Sequence, residues 1–333
     1  MEELAQRVQC SKQAIGQYEK NLRRPDSKTL MAIANALDYE TDYFYNTSTD
    51  VNFNLLKINY REGNQLSKKD REAVENTTIA RLNEYLELEF ISDEFVTFQN
   101  PLEALVIKNT VDAEKAAKLL RKNWKLGEGP IHNISNLLEK NGVRMIKIDY
   151  GHNYSHEGLS GWAEKNIPVI IINAKQKDSC RVRFTILHEL AHLLLEIADN
   201  ICLDTIEKIC DAFAGAVLLS AEGLVDEFGK NRTAISMEEL KRIKELYGIS
   251  IIAIMLRAST TKLITWESYH KWKQSDFSHH DFGNYDGNEE PQKFFQMLLR
   301  CLNEKIIGYD KASQLAQKSQ IELKQFYKQQ LVF

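Results

Sequence analysis

The sequence is short of the residues that interrupt helices. Of 333 positions only 5 are Pro and 15 are Gly, so extended helical stretches are expected. It has no apolar run long enough to cross a bilayer: ISIIAIML, from Ile249, spans far less than the hydrocarbon core demands. The opening MEELAQRVQC is charged and lacks the apolar segment of a secretory signal. Cysteine is scarce, and Cys10, Cys180, Cys202, Cys210 and Cys301 are odd in number with no CxxC spacing. That argues against a disulfide framework and for reduced thiols in a cytoplasmic protein. The formal net charge is -4, so contact with nucleic acid has to come from a local patch. No internal repeat or low-complexity tract is present. At this length two or three domains are expected, in a mainly α fold with a small β-sheet (α+β).

What the sequence does contain is RFTILHELAHLLLE, Arg183 to Glu196. Two histidines and a carboxylate interrupt a stretch that otherwise reads as buried helix, and buried polar groups need partners. Residues four apart share a helix face, so His188 and His192 offer their imidazoles to one point, half of a tetrahedral zinc site. Glu189 lies about 100° further round the helix, in reach of a water at that point, the position of a general base. A bare HExxH also arises by chance, with histidines that are merely hydrogen-bonded in a core. The uncharged Ile186, Leu187, Leu190, Ala191, Leu193 and Leu194 count against that here.

A catalytic zinc takes three protein ligands and leaves one position open. Downstream, DTIEKICDAFAGAVLLS, Asp204 to Ser220, reads as a second buried helix with Glu207 and Asp211 on one face. Glu207 there would complete a His-His-Glu set, with Asp211 orienting a ligand histidine. Asp204 competes for the third position, its ordinary role being a helix cap, and Cys202 and Cys210 are further conceivable ligands. Upstream, VIIIN (169–173) is a β-branched buried strand. GLSGWA (158–163) has the Gly content of an edge strand, to which an extended peptide could add across the metal.

From about Ala113 to Trp266 these features resemble the ImmA/IrrE family of metallopeptidases. The resemblance rests on GPIHNISNLLEKNGVRMIKID, GLSGWA, VIIIN, RFTILHELAHLLLE, EKICDAFAGAVLLS and LKRIKELYGISIIAIMLRA. In that family the segment after the metal helix reads E-x-x-A-N/D-x-F-A-A-x-L-L-M-P. Glu207, Asp211, Phe213 and Ala214 fall on it, while Cys210 replaces the small Ala and Ser220 the Pro. The resemblance implies a zincin-like domain with His188, His192 and Glu207 as zinc ligands and Glu189 as catalytic base. It also implies cleavage of a regulatory protein, such as a repressor or antitoxin partner or the chain itself. The alternative is a non-catalytic zinc-binding repressor or antitoxin whose peptidase-like fold senses a signal.

The first forty-five residues carry helical stripes at Leu4 and Val8, at Ile15 and Tyr18, and at Leu30, Ile33, Ala34 and Leu37. They resemble the λ-repressor-like (XRE-type) helix-turn-helix, whose second helix enters the major groove. Ser11 would cap that helix, and Lys12, Gln13 and Gln17, opposite Ile15, would face the groove. Arg23 and Arg24 suit phosphate contacts. The family module opens with one helix more than is found here, so a chain starting at Met1 is expected to lack it and to bind DNA poorly.

The domains expected are 1–46, the helix-turn-helix; 47–100, a linker and amphipathic helix; 101–272, the peptidase; and 273–333, a C-terminal helical segment. In the second of these, Val74, Ile79, Leu82 and Leu86 form a stripe that packs on its own domain or pairs with a second copy. The last is read as two helices. Neighbouring His279 and His280 are expected in solvent. His132, His152, His156 and His270 lack a ligand-spaced partner, and no oxyanion-stabilising role is assigned to His152, Tyr154 or His156.

Overall fold

The computed structural model describes residues 2–19, 23–37, 41, 53–55, 68–102, 105–149, 158–164, 166–279 and 282–330. Fifteen α-helices and six short strands occur among them, a mainly α fold with small sheets. None of these helices is long and apolar enough to cross a membrane. The chain divides into two compact units, 1–50 with 83–95 and 294–333, and 51–82 with 96–293.

The first unit holds α1 (Glu2–Arg7), α2 (Lys12–Glu19) and α3 (Ser27–Leu37). Ser11 Oγ accepts from Ala14 N–H at 3.1 Å, and Asp26 Oδ1 from Thr29 N–H at 2.7 Å. Each thus satisfies a donor that a helix start leaves without a partner. Ala5, Val8, Ile15 and Ile33 form the small core of the three helices. The third stripe stops at Ala34, because Leu37 is 42% exposed.

The same unit contains the end of α4 (Lys68–Ser92), α13 (Lys293–Asn303), α14 (Tyr309–Ala316) and α15 (Gln320–Gln330). Tyr85 and Leu88 of α4 pack with Met297, Leu298, Cys301, Leu315 and Leu323, and buried Lys311 pairs with Glu87 at 2.6 Å. The C-terminal segment is therefore three helices, not two. Gly308 and Ser319 each precede a new start, and Ser319 Oγ accepts from Glu322 N–H at 3.2 Å. On α4 the fully buried stripe is Val74, Thr78, Leu82, Tyr85, Leu88 and Glu89, one step round from the one expected. Ile79 and Leu86 are half-buried on its flank.

In the second unit a four-stranded sheet has the order β1 (Phe53–Leu55), β4 (Gly158–Ala163), β5 (Ile167–Asn173), β3 (Arg144–Ile148). The β4–β5 pair is antiparallel in register Gly158↔Ile172 to Ala163↔Ile167, and β3 runs parallel to β5. β5 is buried along its whole length, as its apolar run requires. Strand β4 does not form the edge expected of it: β1 pairs with it antiparallel, Phe53↔Ala163, Asn54↔Trp162 and Leu55↔Gly161. Residues 53–55, expected in a linker, are too few to show strand periodicity, and only a distant partner makes them a strand.

On this sheet lies α7 (Ser179–Leu194), packed against β4, β5 and α8 (Leu203–Leu218). α8 in turn packs on α5 (Thr110–Asn123). Helices α6 (Ile134–Lys140) and α9 to α12 (Ala221–Phe228, Met237–Tyr247, Ile251–Thr260, Trp266–Lys273) complete this core. Strands β2 (Val106–Ile107) and β6 (Glu196–Ile197) make a separate parallel pair.

Candidate metal centre

Asp178 opens α7 by accepting from Cys180 N–H at 2.9 Å. Ile186, Leu187, Leu190 and Ala191 are fully buried, so apolar packing fixes the helix and leaves little freedom at His188 and His192. The facing turns of α8 present Glu207, Cys210 and Asp211. Further along, α8 buries Phe213, Ala214, Val217 and Leu218 in the same core.

His188 Nε2 lies 3.2 Å from His192 Nε2 and 3.2 Å from Glu207 Oε2, and His192 Nε2 lies 3.5 Å from Glu207 Oε1. Zinc bonds to nitrogen and oxygen of about 2.0–2.1 Å imply tetrahedral ligand–ligand edges of about 3.3–3.4 Å. The three separations are of that size, those to Glu207 falling on its two different oxygens. The chemistry of this triangle agrees. His188 Nδ1–H donates to Asp211 Oδ1 at 2.9 Å, which leaves Nε2 as an acceptor facing another ring nitrogen and a carboxylate. Acceptors brought so close repel unless a positive charge lies between them. His188, His192 and Glu207 are the group among the described residues able to hold a metal ion.

The same groups also favour a proton, which on His188 Nε2 turns the contact with Glu207 into a hydrogen bond and which a metal ion would replace. Burial lowers that of His188, but the hydrogen bonds to Asp211 and Glu207 and the charge of Glu189 outweigh it, and its pKa is pushed up to about 10. His192 is shifted down, by burial first and by His188, against the pull of Glu189 and Glu207. For Glu207 burial raises the pKa, yet the His188 hydrogen bond and the two imidazoles bring it below the usual carboxylate range. The cluster thus favours one positive charge, a proton or a metal ion in its place.

Glu189 is 7% exposed and does not join the triangle. Ser160 Oγ on β4 donates to its Oε2 at 2.7 Å, so Oε1 is the oxygen left for a water. Gly158, two residues earlier, lets the strand pass close to α7: a Cβ there would lie 2.5 Å from Thr185 Cγ2 and 3.0 Å from Glu189 Cγ.

Two groups at the site escaped the reading of the sequence in these roles. One is Ser160, a hydroxyl on a strand with no motif to mark it. The other is Cys210, weighed only as a ligand, whose Sγ sits 3.6 Å from His192 Nδ1. The two imidazoles are thus steadied on their outer nitrogens by consecutive residues of α8. Asp204 pairs instead with Lys208, and Cys202 Sγ lies beside Thr205 Oγ1 at 3.1 Å; neither joins the triangle. Ser220, where the related pattern has Pro, caps α9 by accepting from Gly223 N–H at 3.0 Å. Residues 150–157, with His152, Tyr154 and His156, lie outside the described residues, as does His280. His132 and His270 are exposed.

In the first unit Ser11, Lys12 and Gln13 are exposed at the start of α2, and Gln17 is half-buried one turn on. Lys12 Nζ pairs with Glu2 at 3.0 Å. Arg23 is exposed, whereas Arg24 is held within the unit. Its guanidinium lies 4.0 Å over the Phe90 ring and donates to Asp93 at 3.2 Å and to Phe90 C=O at 3.1 Å.

Residues 138–259 match the family model of the IrrE N-terminal-like domain, a peptidase family, and residues 1–44 match that of a helix-turn-helix. No curated protein matches the chain. The chain is thus similar to an XRE-type helix-turn-helix over its first 44 residues and to an ImmA/IrrE-like peptidase domain over 138–259.

Proposed function

We propose that this chain is a cytoplasmic DNA-binding regulator whose second unit is a zinc-dependent endopeptidase. Its substrate is a peptide bond in a regulatory protein, such as a repressor, an antitoxin or this chain itself. The observation that carries the reading is the zinc-sized triangle of His188, His192 and Glu207 beside a carboxylate that stays out of it. A purely structural zinc site prefers a fourth protein ligand and has no use for such a group.

His188, His192 and Glu207 would hold the zinc, which when bound polarises the scissile carbonyl and makes water more acidic. Glu189 accepts the proton of the attacking water at Oε1 and delivers it to the departing amine. Ser160 keeps the other oxygen occupied, so the carboxylate meets the water in one orientation. Asp211 keeps the His188 proton on Nδ1 and so directs the Nε2 lone pair into the triangle. In the first unit, Lys12, Gln13 and Gln17 of α2 would read base edges and Arg23 would anchor on phosphate.

The test pairs metal content with proteolysis. Purified chain should bind one zinc and cleave members of a defined peptide library, with products identified by mass spectrometry. Glu189→Gln should keep the zinc and lose cleavage. Cleavage that survives in Glu189→Gln would refute the assignment of the base, and a chain that takes up no zinc would refute the metal centre.

A further inference from the structure

β4 is the strand beside Glu189, and the backbone edge that β5 leaves is the one an added strand would use. Ser160 of this strand holds the carboxylate, Gly158 lies against α7, and the opposite edge is taken up by β5 from Gly158 to Ala163. An extended peptide that adds to that edge therefore passes the general base, bound by main-chain hydrogen bonds that any sequence can supply.

That side carries a strand of the chain's own. Residues 53–55 pair antiparallel with Ala163, Trp162 and Gly161. Leu55 pairs with Gly161, one residue step of about 3.3 Å from Ser160. It lies over a hundred positions from β4 in sequence, in the stretch that links the helix-turn-helix to α4. The three pairs among the described residues supply few ladder bonds, which a competing strand can replace one for one. A tethered strand nonetheless competes at an effective concentration on the order of mM. An incoming peptide needs the same N–H and C=O groups of residues 161–163.

We propose that residues 53–55 are an internal occupant of the substrate edge of β4, and that a protein substrate reaches Glu189 by displacing them as an extended, antiparallel strand. The inference rests on the peptidase reading for what the edge serves, but displacement itself needs no catalysis.

The test uses the full chain carrying Glu189→Gln, so that the probe survives, and a fluorescein-labelled peptide of residues 50–58. Two versions release β1: Asn54→Pro, since proline interrupts strand pairing, and the combined Phe53→Gly, Asn54→Ser, Leu55→Gly. By fluorescence anisotropy the peptide should bind both at least about tenfold more tightly than the chain with β1 intact. Amides of 161–163 should exchange faster in both and be protected again by the peptide. Equal affinity with and without intact β1, or no binding to any of the three, would overturn the proposal. Absence of zinc or of cleavage would sink the peptidase reading while leaving this binding comparison intact. Cleavage by the native chain with unchanged peptide affinity would sink the occupant alone.

Discussion

Asp211 Oδ1 accepts the Nδ1–H of His188 at 2.9 Å, and this one bond settles which nitrogen of His188 faces the metal triangle. A histidine in a buried site has two tautomers, and only one presents a lone pair at Nε2. Asp211→Ala should therefore weaken zinc binding about 10–100-fold, measured by competition with a fluorescent chelator, with far-UV circular dichroism unchanged. Unaltered affinity would show that packing alone orients the ring.

Ser160 bonds Glu189 and none of His188, His192 and Glu207, so on the proposed reading it supports the base and not the metal. Ser160→Ala removes its 2.7 Å bond to Glu189 and should leave zinc content and KM as they were. It should lower kcat about tenfold, the rate equivalent of a hydrogen bond worth about 1.4 kcal/mol. An unchanged kcat would mean that the carboxylate needs no such support.

Cys210 and Cys202 stand eight residues apart and should differ sharply in reactivity. Burial, with Glu207, Glu189 and Asp211 nearby, pushes the Cys210 thiol up. The Thr205 hydrogen bonds bring that of exposed Cys202 down. Since the thiolate is the nucleophile, iodoacetamide at neutral pH should label Cys202 first and Cys210 only on unfolding, as read by peptide mass spectrometry. Early labelling of Cys210 would show that the α7–α8 contact opens.

Arg183 is fully buried on α7, five residues before His188. It pairs with Glu289 and donates to Tyr285 Oη at 2.9 Å, to Ile131 C=O at 2.6 Å and to Tyr247 C=O at 3.1 Å. Gly248 (φ 60°) leaves it room, because a Cβ there would lie 2.6 Å from Arg183 Nε. Arg183→Met strands the Glu289 carboxylate in the interior and should cost about 3–5 kcal/mol in urea unfolding. Joined to Glu289→Gln, the same change should cost clearly less. Equal costs would mean that the carbonyl bonds, not the ion pair, hold the segment.

The cluster of His188, His192, Glu207 and Asp211 was legible because its members fall in pairs at helical spacing. His188 and His192, then Glu207 and Asp211, are pairs four apart flanked by apolar residues, and a polar pair on an apolar face needs a reason. The strands 158–163 and 167–173 were legible from composition. Ser160 was not, because its partner lies 29 residues away across a strand-to-helix contact. One hint was present: a lone hydroxyl on the buried side of a short strand needs something to bond. Arg183 gave the same kind of hint, a charge on the apolar face shared with Ile186, Leu187 and Leu190. Strand β1 offered none, since three residues have no measurable period and their pairing is wholly long-range. In the C-terminal segment the break at Ser319 was masked by a run of good helix formers.

Two of the buried guanidiniums, those paired with carboxylates far away in sequence, set how small a working fragment can be. Arg257, 5% exposed on α11, is paired with Glu114 of α5, and Arg183 with Glu289 beyond α12. A piece trimmed to 138–259 keeps HExxH and Glu207 but discards both counterions. At about 3–5 kcal/mol for each orphaned charge, against a typical total of about 5–15 kcal/mol, such a piece would carry the signature and fail to fold. Expression of this half in isolation has to begin before Glu114 and run past Glu289.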